Sequence, residues 1–205
     1  MKPRQILVLF TLLIFSFSQA QKKEISEIKK FQKELNAEYK NPKETPLRGS
    51  NFTNFKRHPF FPIDLKYRVK AIFTKSENAI AFKLPTSSGR TQPYIEFGKA
   101  TFNLDGKTYT LSIYQSLNLS KKEGFEDYLF LPFRDVTNGK ETYGGGKYLD
   151  LRIPKAGEII IDFNQSYQPF CAYNAYDYNC PIVPKENFLL IKIKAGVKYE
   201  DTYHH

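Results

Sequence analysis

Apolar and polar positions change rhythm twice along this chain. Residues 6–17 are apolar except for Thr11 and Ser16. From Lys22 to Lys40 the apolar positions thin to Ile25, Ile28, Phe31 and Leu35, three and four apart among lysines and glutamates, which predicts one amphipathic helix. Gln32 shares the Phe31 step and Tyr39 extends the stripe. Asn41-Pro42 predicts its end, because a residue before proline is pushed out of the α region. Residues 43–62 hold Pro46, Gly49, Pro59 and Pro62 together with Phe52, Phe55, Phe60 and Phe61. This stretch is expected to be ordered irregular chain along the edge of a core.

From Asp64 onward the period becomes two. Tyr67, Val69, Ala71 and Phe73 alternate with polar neighbours, the pattern of a half-buried strand. Further strands are predicted over residues 79–84, 94–104, 107–115, 127–133, 148–153, 158–163 and 188–194. Asp105-Gly106 between two of them predicts a type I′ hairpin. Gly144-Gly145-Gly146, and Pro154 followed by Gly157, supply breaks. No strand–helix–strand alternation is present. The expected fold class is mostly β, an antiparallel β-sandwich or barrel with one N-terminal amphipathic helix.

The front of the chain changes this picture. Lys2 and Arg4 precede the apolar run, and Ser18-Gln19-Ala20 follows it, the order of a cleavable secretory signal over residues 1–20. The run is shorter than the roughly 20 residues that span a bilayer comfortably. An uncleaved N-terminal anchor is the alternative. Residues 21–50 then form the helix and a connector, and 51–205 a β domain. Cleavage leaves 185 of 205 residues, enough for one domain with its own core, and lowers the formal charge from +10 to +8. The lysines are scattered and no arginine-rich tract occurs. Export and this scatter exclude nucleic acid as the expected partner. A periplasmic or secreted monomer is expected, not membrane-spanning once the signal is removed.

Export also bears on Cys171 and Cys180, the chain's two cysteines. In an oxidising compartment such a pair is expected to be bonded. Closing that ten-residue loop would contribute about 2.5–3 kcal/mol by chain entropy. A zinc site from Cys171, Cys180 and His58 is the alternative on ligand type. No cofactor is implied. Gly144-Gly145-Gly146-Lys147 resembles a phosphate loop only superficially, since Glu141 and Tyr148 occupy positions that motif needs for glycine and a hydroxyl residue. No nucleophile elbow or zinc-protease helix motif occurs. His58 lies in a loop, and His204-His205 form an expected exposed end.

Candidate chemistry is densest between Phe130 and Gly196. Asp135 and Asp162 are a possible carboxylate pair for acid/base work, if their environments separate their pKa values. Tyr167, Tyr173, Tyr176 and Tyr178 offer flat faces with hydroxyl handles. The candidate binding set is Asp135, Thr137, Tyr143, Lys147, Asp162, Asn164, Tyr173 and Asn187. A loop fixed by Asx turns and a disulfide is the structural alternative.

The same stretch carries a resemblance. Asp162-Phe163-Asn164, Pro169, Cys171-Ala172-Tyr173, Cys180-Pro181, Pro184 and Glu186-Asn187 resemble the C-terminal signature of the family called domain of unknown function 1684. Phe133, Asp135, Thr137, Gly139, Thr142, Tyr143 and Gly146 match its upstream block. A weaker third block lies at Phe61-Pro62 and Tyr67-Arg68-Val69. The specific part spans residues 130–196. The chain departs at Lys147, where the family usually has arginine, and at Val197, where it usually has glutamate. Lysine offers a point charge where arginine offers a fork. The resemblance implies a shared fold and loop and carries no reaction. The expected function is binding of a small molecule or cell-envelope component by an exported β domain, without a recognised catalytic signature. The alternative is a hydrolase using Asp135 and Asp162, with metal assistance at the cysteines.

Overall fold

A computed structural model describes residues 3–200, 202 and 203, with side chains from residue 19 onward. Helix α1 runs from Pro3 to Lys40, so the helix predicted from Lys22 begins earlier and continues through residue 20. The expected signal lies partly outside the described residues, as do His204 and His205. Ile28, Leu35 and Tyr39 are the buried positions of the α1 stripe, while Ile25 and Phe31 are half-buried. Among the described residues no helix is long and apolar enough to cross a membrane.

The stretch expected to be irregular contains a short helix, α2 (Gly49–Asn54). Around it Phe52, Phe55 and Phe60 pack on an aromatic cluster that also takes Leu35 and Tyr39 of α1. The expected placement along a core edge matches these rings. The helical turn was hidden because no side chain caps its first turn, which removes the usual start signal.

Eight strands follow: β1 (Arg68–Lys75), β2 (Phe82–Pro85), β3 (Thr91–Leu104), β4 (Lys107–Ser116), β5 (Tyr128–Asp135), β6 (Lys147–Arg152), β7 (Glu158–Asp162) and β8 (Phe188–Leu189). They form one sheet, mostly antiparallel, in the order β6-β5-β4-β3-β1-β7, with β2 beside β3 and β8 beside β5. The β3–β4 hairpin turns at Asp105 and Gly106, both with positive φ (49° and 75°), the backbone a type I′ turn requires.

Burial on β5 is continuous from Leu129 to Phe133, against the alternation of a half-buried strand. Leu129, Leu131 and Phe133 face the main core. Phe130 faces the other side, in a cluster with Tyr94, Tyr114, Tyr148 and Val183. Residues from the Pro- and Tyr-rich chain after β7 therefore cover the second face of the sheet. That loop is a layer of the fold.

Two predicted strands are shorter than expected. The stretch expected at 79–84 forms strand only from Phe82. The strand expected over 188–194 stops at Leu189 after pairing in parallel with Arg134 and Asp135. Beyond it the Ile193 amide donates to the Asp135 side chain (3.2 Å) rather than to a ladder carbonyl.

Candidate functional site

Strands β6 and β7 are the two ends of the sheet order, yet both line one cleft. The sheet curls until its edges approach. At one point they meet: just past β7, Tyr167 exchanges backbone hydrogen bonds with Tyr148 of β6 (2.8 and 3.1 Å). Elsewhere the seam gapes as a cleft of about 410 Å³. Its walls are residues 149–152 of β6, Ile160 and Asp162 of β7, and Glu27 and Phe31 of α1. An open sheet edge leaves backbone donors and acceptors unpaired by a ladder, and here the helix lies beside that edge.

Charges in the cleft are arranged unequally. Arg68 reaches Asp162 at 2.7 Å, Glu27 at 3.1 Å and Glu24 at 3.5 Å, fastening the helix to the β1–β7 side. Arg152 pairs with Asp127 at 2.6 Å. Both cations lining the cleft are thus occupied. Asp150 instead accepts the hydroxyls of Tyr128 and Tyr167, each at 2.7 Å, on one oxygen. Burial first, and the Asp150 carboxylate next, push both phenols far above their ordinary range. Glu38 of α1 feels the same carboxylate: burial, then Glu44, then Asp150 raise its pKa.

Tyr167 is shared with a second, aromatic pocket of about 280 Å³ formed with Tyr148, Phe170, Tyr178 and the Cys180-Pro181 segment. The Tyr148 hydroxyl donates to the Pro181 carbonyl. Cys171 and Cys180 are bonded, which removes both thiolates from the alternative zinc site. Among the described residues no three His, Cys, Asp or Glu side chains are grouped to hold a metal. His58 sits elsewhere, buried in a box of aromatic rings that includes Tyr39 at 4.2 Å, Phe55 at 5.0 Å and Tyr173 at 5.6 Å. Burial lowers its pKa to about 3, so it is neutral in ordinary buffers.

The expected site residues fall in separate places. Asp135, Thr137 and Lys147 form one sealed knot. Asp135 Oδ1 accepts the amides of Thr137 (2.8 Å) and Ile193 (3.2 Å). Lys147 Nζ lies 2.9 Å from Asp135 Oδ2, with both side chains at 0% exposure, and donates to the Ile193 carbonyl at 2.9 Å. Burial lowers the Lys147 pKa, and Asp135 opposes that. Gly146 sets the approach. Its φ is +113°, and a Cβ there would stand 2.9 Å from the Phe133 carbonyl.

Tyr143 packs against Tyr199 at 5.3 Å, and Tyr173 bonds Gln168 at 3.2 Å beside His58. Asn187 clamps the Ser112 amide and carbonyl (2.8 Å each) and the Pro132 carbonyl (2.7 Å). Asn164 holds Asp64 with both ends of its amide: Oδ1 accepts the Asp64 amide (3.1 Å) and Nδ2 donates to the Asp64 carbonyl (3.0 Å). Of the whole set, Asp162 alone lines the cleft.

Asp135 and Asp162 share no hydrogen-bonding or ion-pair partner: one is sealed against Lys147, the other bonded to Arg68 and Asn164. The arrangement brings together Asp150, Tyr167, Arg68 and Glu27 instead. A signal for part of this was present: Tyr148, Asp150 and Arg152 alternate on β6, placing polar groups at period two on one face of an edge strand.

Comparison with known proteins places this geometry in context. The family described as Protein of unknown function (DUF1684) matches residues 53–198; α1 lies outside the match. The chain is also similar to an uncharacterised protein from gene locus rrnAC0354 of Haloarcula marismortui, whose structure was determined in solution by NMR. The identity is 30% over 91% of this chain and 99% of that one, with a TM-score of 0.70. No curated protein matches the chain.

Proposed function

The chain belongs to the DUF1684 family of proteins of unknown function, and we propose that this member is an exported β domain that binds a ligand in the cleft between β6 and β7. The observation that carries this reading is the seam itself. A cleft of about 410 Å³ is within the usual range for small-molecule sites, and it opens where a curled sheet stops short of closing. We read the sheet as an opened barrel on that ground. Charged and aromatic groups converge there, whereas the buried family-signature residues are spent on holding loops in place.

Export is supported by the basic start, the apolar run and the small residues before Gln21, and the Cys171–Cys180 bridge suits an oxidising compartment. A periplasmic or secreted, monomeric protein with a small-molecule or envelope-component ligand follows from the same reading. No nucleic-acid partner enters it.

The test is a thermal-shift screen of glycans, lipids and peptides against the wild type and two cleft-filling variants, Ile160→Trp and Leu151→Trp. Ile160 is 43% exposed, so a larger ring there fills the cleft without overpacking the core. A hit that stabilises the wild type and fails with both variants supports the cleft. A hit that stabilises all three equally removes it.

A further inference from the structure

We propose that the aromatic pocket beside the seam takes the head group of a small alkylammonium ion, held on ring faces with the carboxylates of Glu38, Glu44 and Asp150 around it. This rests on the ligand-binding reading above and names the class of ligand.

The pocket is small, about 280 Å³, and four of its eight lining residues are aromatic, Tyr148, Tyr167, Phe170 and Tyr178, with Asn179 as its amide side chain. Tyr148 and Tyr167 stand edge to face at 6.1 Å, and Phe170 and Tyr178 do so at 4.9 Å. Two of its three phenols are engaged, Tyr148 on the Pro181 carbonyl in the pocket's own wall and Tyr167 on Asp150. Several aromatic rings around one volume, whose π-systems attract positive charge, favour a poorly hydrated cation over a neutral group of the same shape.

Charge around the pocket points the same way. Phe170 is also a wall of a neighbouring trough lined by Glu34, Glu38 and Glu44, with no lysine or arginine among its lining residues. Through Tyr167 the pocket adjoins Asp150. Glu38, Glu44 and Asp150 have no ion-pair partner among the described residues, while Arg68 and Arg152 are each paired with carboxylates. In a chain with a formal charge of +10, the unneutralised charge at this spot is negative. Glu38 is already pushed toward its protonated form by burial and by Glu44 and Asp150. A bound cation relieves that repulsion, and a neutral or anionic ligand does not.

The experiment compares choline with its uncharged carbon isostere dimethylbutanol by NMR titration of the purified protein, reading the ring signals of Tyr148, Tyr167 and Tyr178. The expected result is that choline binds roughly 5- to 30-fold more tightly than the isostere. Glu38→Gln and Tyr178→Leu are expected to reduce that preference in a protein that stays folded by circular dichroism, since Glu38 and Tyr178 are only partly buried. Equal affinity for both probes at these rings overturns the ammonium inference and leaves the binding reading standing. Shifts from neither probe overturn the inference as well. The cleft-filling comparison then decides the broader reading independently.

Discussion

The hydroxyl of Tyr167, in the loop just past β7, donates to the carboxylate of Asp150 on β6 at 2.7 Å. With the Tyr148–Tyr167 backbone pair beside it, this bond joins the two ends of a sheet whose strand order never closes. The contact separates the zipped part of the seam from the open part, so its removal bears on both stability and binding. Asp150→Ala removes the shared acceptor of two half-buried tyrosines, Tyr128 and Tyr167. The expected cost is about 1–3 kcal/mol, measured by urea denaturation. Faster amide exchange confined to β6 and residues 163–168 would accompany it.

Among the described residues, Lys147 and Asp135 form the most enclosed ion pair. Removing one charge leaves the other buried without its counterion, which typically costs about 3–5 kcal/mol. Lys147→Met alone is expected to lose stability in that range, and Lys147→Met with Asp135→Asn to recover part of it. Binding in the cleft is expected to be unaffected in any variant that still folds, because neither side chain lines it. Equilibrium denaturation of the two variants checks the first statement and a ligand titration the second.

His58 gives a pH dependence whose sign is fixed by burial. Its folded pKa is about 3 against 6.5 for the free side chain. Below pH 6.5 the unfolded chain therefore binds a proton that the folded chain refuses, and acid favours unfolding. Stability from this residue is fully present above pH 6.5 and falls by roughly 1.4 kcal/mol per pH unit on the way down to about pH 3. His58→Phe keeps a ring in the aromatic box. The difference in stability between wild type and variant is expected to change with that slope between pH 6 and pH 4. A difference independent of pH would show that His58 does not titrate in this way.

Reduction of Cys171–Cys180 releases the loop that walls the aromatic pocket. Ser87 next to β2 bonds Cys180 through both its amide (2.9 Å) and its hydroxyl (3.2 Å), so the loop keeps anchors after the bridge is cut. The expected loss is about 2.5–3 kcal/mol with the fold retained. A melting curve with and without reductant checks this, and Cys171→Ser with Cys180→Ser serves as the control.

Much of the sheet was legible in the sequence because strands carry their own period. The Asp105-Gly106 hairpin, the β1 alternation and the approximate positions of β5, β6 and β7 follow from it, as does the amphipathic part of α1. Family membership was legible in the residues around Asp162-Phe163-Asn164 and Cys171-Ala172-Tyr173. What stayed hidden was long-range. Nothing local shows that the loop after β7 covers the second face of β5, which is why Phe130 and Tyr114 are buried where alternation alone would expose them. The candidate site suffered from the same cause. Asp135, Asn164 and Asn187 stand out by residue type, yet each one's hydrogen bonds close a loop. The cleft depends on strands 94 residues apart in the Arg68–Asp162 pairing, a distance that no spacing rule spans.

The most direct test of the seam as a binding site is a two-dimensional NMR map of any ligand found in the screen. The expected result is that the first signals to move belong to residues 149–152 and 160–167 and to the α1 turn around Glu27 and Phe31, while Asp135, Lys147 and Asn187 stay still. Shifts centred on the sealed Asp135–Lys147 knot, or on a surface away from β6 and β7, would contradict it.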